Sequence, residues 1–134
     1  MSSQDITEEK LILQEVCYSY AKKIIESNQT LIPFGAFLNM QNEIIIEDPA
    51  LNMELKESRI EYLSNKLNRL AYIKRIKVWT ICFDGILHKT ESNIKDAICI
   101  EVHEGNQHPI TNLYYPYKWD NNKVLFSEPI IKKE

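Results

Sequence analysis

Glycine is scarce in this chain. Only Gly35, Gly85 and Gly105 occur in 134 residues, so there is no glycine-rich loop to cradle a phosphate. Cysteine is sparse as well: Cys17, Cys82 and Cys99 are far apart, odd in number and form no Cys-x-x-Cys pair. A disulfide framework is excluded on that count. Each cysteine sits in an apolar run, which reads as a buried thiol in a reducing compartment. His88, His103 and His108 lack paired ligand spacing and no His-Glu-x-x-His occurs, so neither zinc nor any other cofactor is expected. No apolar run is long enough to cross a bilayer, and Met1–Gln4 lead directly into a charged stretch. A cytoplasmic protein without membrane attachment is the expectation. The formal charge of −3 supplies no general attraction to nucleic acid or acidic lipid, so neither is an expected partner.

What is present suits one globular domain spanning residues 1–134, with 1–4 and 130–134 expected to be flexible. Apolar residues make up 44% and charged residues 26%, and a chain of this length buries roughly two-thirds of its unfolded surface without a metal or disulfide. Thr7 is a candidate cap for a first helix, with Glu8 and Glu9 in its first turn. Leu13, Val16, Cys17, Tyr20, Ile24 and Ile25 recur at helical spacing as far as Ser27-Asn28-Gln29. Leu31–Met40 reads as a strand, with Pro33 at its start and Gly35 leaving room for a close neighbour. Asn39–Asn42 reads as a turn and Glu43–Glu47 as a short second strand. Asp48-Pro49 introduces a second helix from about Met53 to Lys74, whose stripe is Ile60, Leu63, Leu67, Leu70 and Ala71.

From Ile76 the hydrophobic period changes to two. Trp79, Ile81 and Phe83 alternate with Val78, Thr80 and Cys82, as in an interior strand closed by Asp84-Gly85. Ile86–Asn93 reads as a polar connection. The clearest strand of the chain follows: Ile94, Ile98, Ile100 and Val102 share one face, and Ala97, Cys99, Glu101 and His103 the other. Pro109–Trp119 is a fifth strand, Asp120-Asn121-Asn122 a turn, and Lys123–Ser127 a sixth. The fold class is therefore α+β, in the order α-β-β-α-β-β-β. The simplest architecture is a two-layer sandwich, an antiparallel sheet of about five strands with two amphipathic helices on one or both faces. This order resembles that of roadblock and longin-type modules, and the resemblance implies a scaffold for dimerisation and partner binding.

Three ordered segments carry a second resemblance: Pro33-Phe34-Gly35-Ala36-Phe37-Leu38, Asp96 through His103, and Tyr115-Pro116-Tyr117. They look like the motifs of small uncharacterised bacterial α+β proteins, similar to the immunity proteins of polymorphic toxin systems. The resemblance implies a non-enzymatic protein that neutralises a co-encoded toxin.

Two sets of residues are candidate sites. In Leu113–Trp119, Tyr115, Tyr117 and Trp119 share a face with Tyr114 opposite. Such rings lose few rotamers on binding and hold interfaces together, yet they are equally suited to cover the sheet. With Asp84 and Glu101 to steer a basic partner, Tyr114, Tyr115, Tyr117 and Trp119 are the expected partner-binding residues. The second set, Asp84, Asp96, Glu101 and His103, has the chemistry for a metal-dependent hydrolase or nuclease if it converges; a solvated polar face is the reading the pattern favours. A local basic patch, Lys66, Arg69, Lys74, Arg75 and Lys77, suits either RNA or a plain helix terminus. The expectation is thus a protein-binding domain rather than an enzyme, with a toxin as partner, and with a hydrolase or a homodimer paired through an edge strand as alternatives.

Overall fold

The run from Ser3 to Glu26 holds neither glycine nor proline and folds as one helix, α1 (Ser3–Glu26), in the computed structural model, which describes residues 3–48, 56–90, 93–105 and 107–133. β1 (Phe34–Leu38), β2 (Ile44–Glu47), α2 (Lys56–Tyr72), β3 (Val78–Thr90), β4 (Asn93–Glu104), β5 (Gln107–Asp120), β6 (Lys123–Phe126) and β7 (Ile130–Lys133) follow. The fold is α+β. Its strands form one antiparallel sheet in the order β2-β1-β3-β4-β5-β6, with β7 also paired to β5. α2 is described from Lys56; the expected first part of the second helix, Met53 to Leu55, lies outside the described residues.

Both helices end the same way. Asn28 lies at φ 60°; its N–H donates to Ile25 O at 2.9 Å, and Gln29 N–H donates to Ile24 O at 3.1 Å. This paired closure satisfies carbonyls that the helix end would leave bare. At the end of α2 the same two bonds run from Lys74 to Ala71 O (3.0 Å) and from Arg75 to Leu70 O (2.9 Å). Here the residue at φ 62° is Lys74, where glycine or asparagine would be relaxed.

The helices lie on opposite faces of the sheet. In α1, Leu13, Cys17, Ala21 and Ile25 recur every fourth residue and pack on Phe34, Ala36, Val78, Cys82, Ile98, Ile100, Val102 and Leu113. In α2, Leu63, Leu67 and Ala71 pack on Phe37, Trp79 and Ile81. Alternation along β1 and β3 thus feeds two separate cores, each buried leucine or isoleucine contributing about 1.5–3 kcal/mol. Tyr20, expected in the α1 stripe, instead sits at its flank with its ring 4.8 Å from Phe34.

Two expectations about β structure need correcting. The expected connection Ile86–Asn93 is strand as far as it is described: β3 continues to Thr90, pairing Ile86 with Asp96, Leu87 with Lys95 and His88 with Ile94, and Asn93 opens β4, while residues 91 and 92 lie outside the described residues. Leu87 is buried with Ala97 and Cys99, so the period of two persists even though the sequence turns polar. Gly85, read as a closing turn, lies inside this ladder opposite Ala97; a Cβ there would meet Cys99 Sγ at 2.7 Å. The tail does not trail off either. Ile130–Lys133 pairs with Thr111–Tyr114 as β7, so the sheet has seven strands rather than about five.

Two substitutions test this packing. Gly35 gives Leu67 its seat: an added Cβ would lie 2.7 Å from Leu67 Cδ1 and 3.2 Å from the Thr80 carbonyl oxygen. Gly35→Ala is expected to cost about 1–3 kcal/mol in urea unfolding. Lys74→Gly should stabilise by about 0.5–1 kcal/mol in the same assay, because glycine relieves the left-handed backbone.

Candidate functional site

The antiparallel register decides which polar side chains meet. Asp84 and Asp96 belong to the face covered by α1, because Asp84 pairs with Ile98 and Ile86 with Asp96. Glu101 and His103 point to the α2 face with Trp79 and Ile81, their register partners. The four residues expected to converge are therefore split two and two by the sheet.

Each half is engaged locally. The His103 ring stacks on Trp79 with centroids 3.8 Å apart and planes 4° apart, and its Nε2 lies 3.1 Å from Glu101 Oε1. Trp79 Nε1 donates to Gly105 O at 2.8 Å. On the other face Tyr117 Oη donates to Asp84 Oδ1 at 2.8 Å. Burial raises the Asp84 carboxyl above its ordinary 3.8, the Tyr117 bond opposes that rise, and Asp96 adds to it. Burial, then the bond to Asp84, raises the Tyr117 phenol.

The thiols are closed to chemistry. Burial pushes Cys17 up to about 11 and Cys99 up to about 12, and holds Cys82 well above the ordinary thiol value. A thiol so shifted is not the nucleophilic thiolate at neutral pH. Among the described residues, no group of three or more His, Cys, Asp or Glu side chains is placed to hold a metal ion. The side chains of His88 and His108 lie outside the described residues.

The aromatic segment divides differently. Tyr115 and Tyr117 are each only 7% exposed. Tyr115 stacks on Tyr18 at 4.1 Å and its hydroxyl accepts from Gln14 Nε2 at 3.0 Å, while Tyr117 packs near Phe126 at 5.7 Å. Both rings hold α1 and β6 to the sheet. Tyr114 is half-buried on the opposite face beside Leu87, Ala97 and Cys99. Trp119 continues the Tyr115–Tyr117 face past the end of α1 and is 43% exposed.

Trp119 has its backbone at the closed end of a hairpin. It pairs with Val124 one residue before a tight turn in which Asn121 (φ 50°) and Asn122 (φ 69°) take the left-handed conformation that joins short hairpins. On one side it lines an open depression of about 500 Å³ with Lys95, Asp96, Pro116, Tyr117, Lys118 and Ser127. On the other it lines one of about 490 Å³ with Glu26, Ser27, Asn28 and Asn122. Of the residues singled out from the sequence, Trp119, Asp96 and the largely buried Tyr117 come together at this surface. Asp84 is half-buried against Tyr117, and Glu101 faces away. Lys95, Lys118 and Ser127 were missed; counting parity back from Trp119 and across to Asp96 would have reached only part of the set.

An α+β protein with one seven-stranded antiparallel sheet between two helices is the class this geometry defines. Set beside known proteins, the chain matches no protein-family model, no curated protein and no solved structure. No helix among the described residues is long and apolar enough to cross a membrane.

The part-buried Asp84–Tyr117 pair carries a pH signature. Folded Asp84 keeps its proton to higher pH than the unfolded chain does, so the folded state binds more protons just above the ordinary value of 3.8 and loses stability as pH rises through that window. Compared with Asp84→Asn, the parent protein should therefore lose stability from about pH 4 upward, read as diverging urea midpoints. Parallel midpoints across that range would contradict the assignment.

Proposed function

We propose that this chain is a non-enzymatic protein-binding domain that docks through the surface centred on Trp119, and that in its specific form it is an immunity protein covering the active site of a toxin encoded beside it. The observation that carries the docking surface is Trp119 itself: a large, half-exposed ring that lines two open depressions. Tryptophan is the residue type most enriched where interfaces concentrate their energy. Asp96 on the rim supplies a negative charge that suits a basic partner, although Lys95 and Lys118 beside it limit that field. The immunity role is an analogy: the Pro33–Leu38, Asp96–His103 and Tyr115–Tyr117 segments resemble those of small uncharacterised bacterial proteins, a kind that includes immunity proteins. The protein-binding reading is preferred to the hydrolase alternative because Asp84 and Asp96 lie on the opposite face of the sheet from Glu101 and His103.

The test is calorimetric titration against the product of the adjoining reading frame. Binding is expected, and Trp119→Ala should weaken it by about 30-fold or more. Unchanged affinity would remove the Trp119 surface. Absence of binding, together with no protection of cells expressing that product, would remove the immunity role.

A further inference from the structure

A second surface lies at the other end of the strands. Between Glu61 and Asp84 the chain has five cations, Lys66, Arg69, Lys74, Arg75 and Lys77, and no carboxylate. The remainder of a chain whose net charge is −3 therefore stands at −8. Lys66 is tied to Glu47, but Arg69, Lys74 and Arg75 are exposed at the end of α2. Large apolar side chains accompany them. Tyr72 is 71% exposed, Ile73 is 54% exposed and Met40 is 67% exposed. Met40 lines a depression of about 60 Å³ with Arg75, Lys77 and Glu9, which joins the β1–β2 turn to the end of α2.

Lys74 adds an independent sign. It occupies a left-handed backbone position, φ 62°, that glycine would fill without strain. Strain kept at an exposed, charged residue marks a place where something other than stability is served.

The geometry points to a docking site at the α2 terminus, formed by Arg69, Lys74, Arg75, Tyr72, Ile73 and Met40, for an acidic segment of a partner protein that also carries apolar side chains. A peptide fits these residues better than a nucleic acid does. Ile73 and Met40 have nothing to offer a phosphodiester backbone, and the −8 balance of the rest of the chain repels a long polyanion while leaving short-range pairing to a short acidic segment intact. This site is separate from the Trp119 surface. Gly105 N–H donates to Lys77 O at 2.6 Å, so the basic end sits beside the Glu104 end of β4, whereas Trp119 shares its depression with Asp96. Eight residues of extended strand place the two about 26 Å apart, far enough for both to be filled at once.

The experiment uses the full chain and three probes: a short synthetic peptide of glutamates interrupted by leucines, a single-stranded RNA oligonucleotide of equal length, and phosphatidylserine vesicles. The peptide should bind and be released by salt, and its glutamine counterpart should not bind. Lys74→Gly should weaken binding about threefold while raising stability, and Arg75→Glu about tenfold; Trp119→Ala should leave it unchanged. Tighter binding to RNA or vesicles than to the peptide would overturn the assignment. So would equal binding by the Lys74→Gly and Arg75→Glu proteins, or no peptide binding at all.

Discussion

Everything in this fold depends on β3 being buried on both of its faces. It lies between β1 and β4 in the sheet, gives Val78 and Cys82 to the core under α1, and gives Trp79 and Ile81 to the core under α2. A strand with two apolar faces cannot slip by one residue without exchanging its two cores, so its register is strongly specified. The long antiparallel pairing with β4 carries that register across to β5. From there it sets which tyrosines face α1 and where Trp119 emerges.

Polar groups inside this frame are few and each is matched. Thr80 is fully buried; its hydroxyl bonds Ala36 O at 3.1 Å and lies 3.1 Å from Cys17 Sγ, linking β1, β3 and α1 at one point. No buried side-chain nitrogen or oxygen among the described residues lacks a partner. Because an unpaired buried polar group costs far more than a made bond returns, such matching favours one packing over its competitors. The same engagement explains why the interior offers little chemistry. The imidazole lies against an indole, the thiols are sealed, and Asp84 is held by a phenol.

Much of the fold could be read from the residues alone. The alternation of Ile98, Ile100 and Val102 with Cys99, Glu101 and His103 located the central strand, and the four-residue recurrence of Leu13, Cys17 and Ile25 located α1. The strand character of Ile86–Thr90 is hidden in the sequence because its ladder partners on β4 supply the order that its own polar side chains do not advertise. β7 escaped for a related reason: Ile130-Ile131 is too short a signal without the edge of β5 to receive it. The split of the acidic set was partly visible. Asp96 and His103 are separated by an odd number of residues along one strand, which already places them on opposite faces. The left-handed Lys74 and its exposed neighbours had no comparable trace, since a lysine-arginine pair after a helix reads equally well as an ordinary terminus.

The outer margin of β5 has a consequence for how the molecule behaves in a crowd. β6 covers residues 117–120, Ser127 N–H donates to Pro116 O at 2.8 Å, and β7 covers residues 111–114. The longest strand is thus fenced by two four-residue pieces with a proline between them, and the opposite margin, β2, is itself four residues long. Among the described residues, neither rim offers the extended, uninterrupted template on which foreign chains add strand by strand.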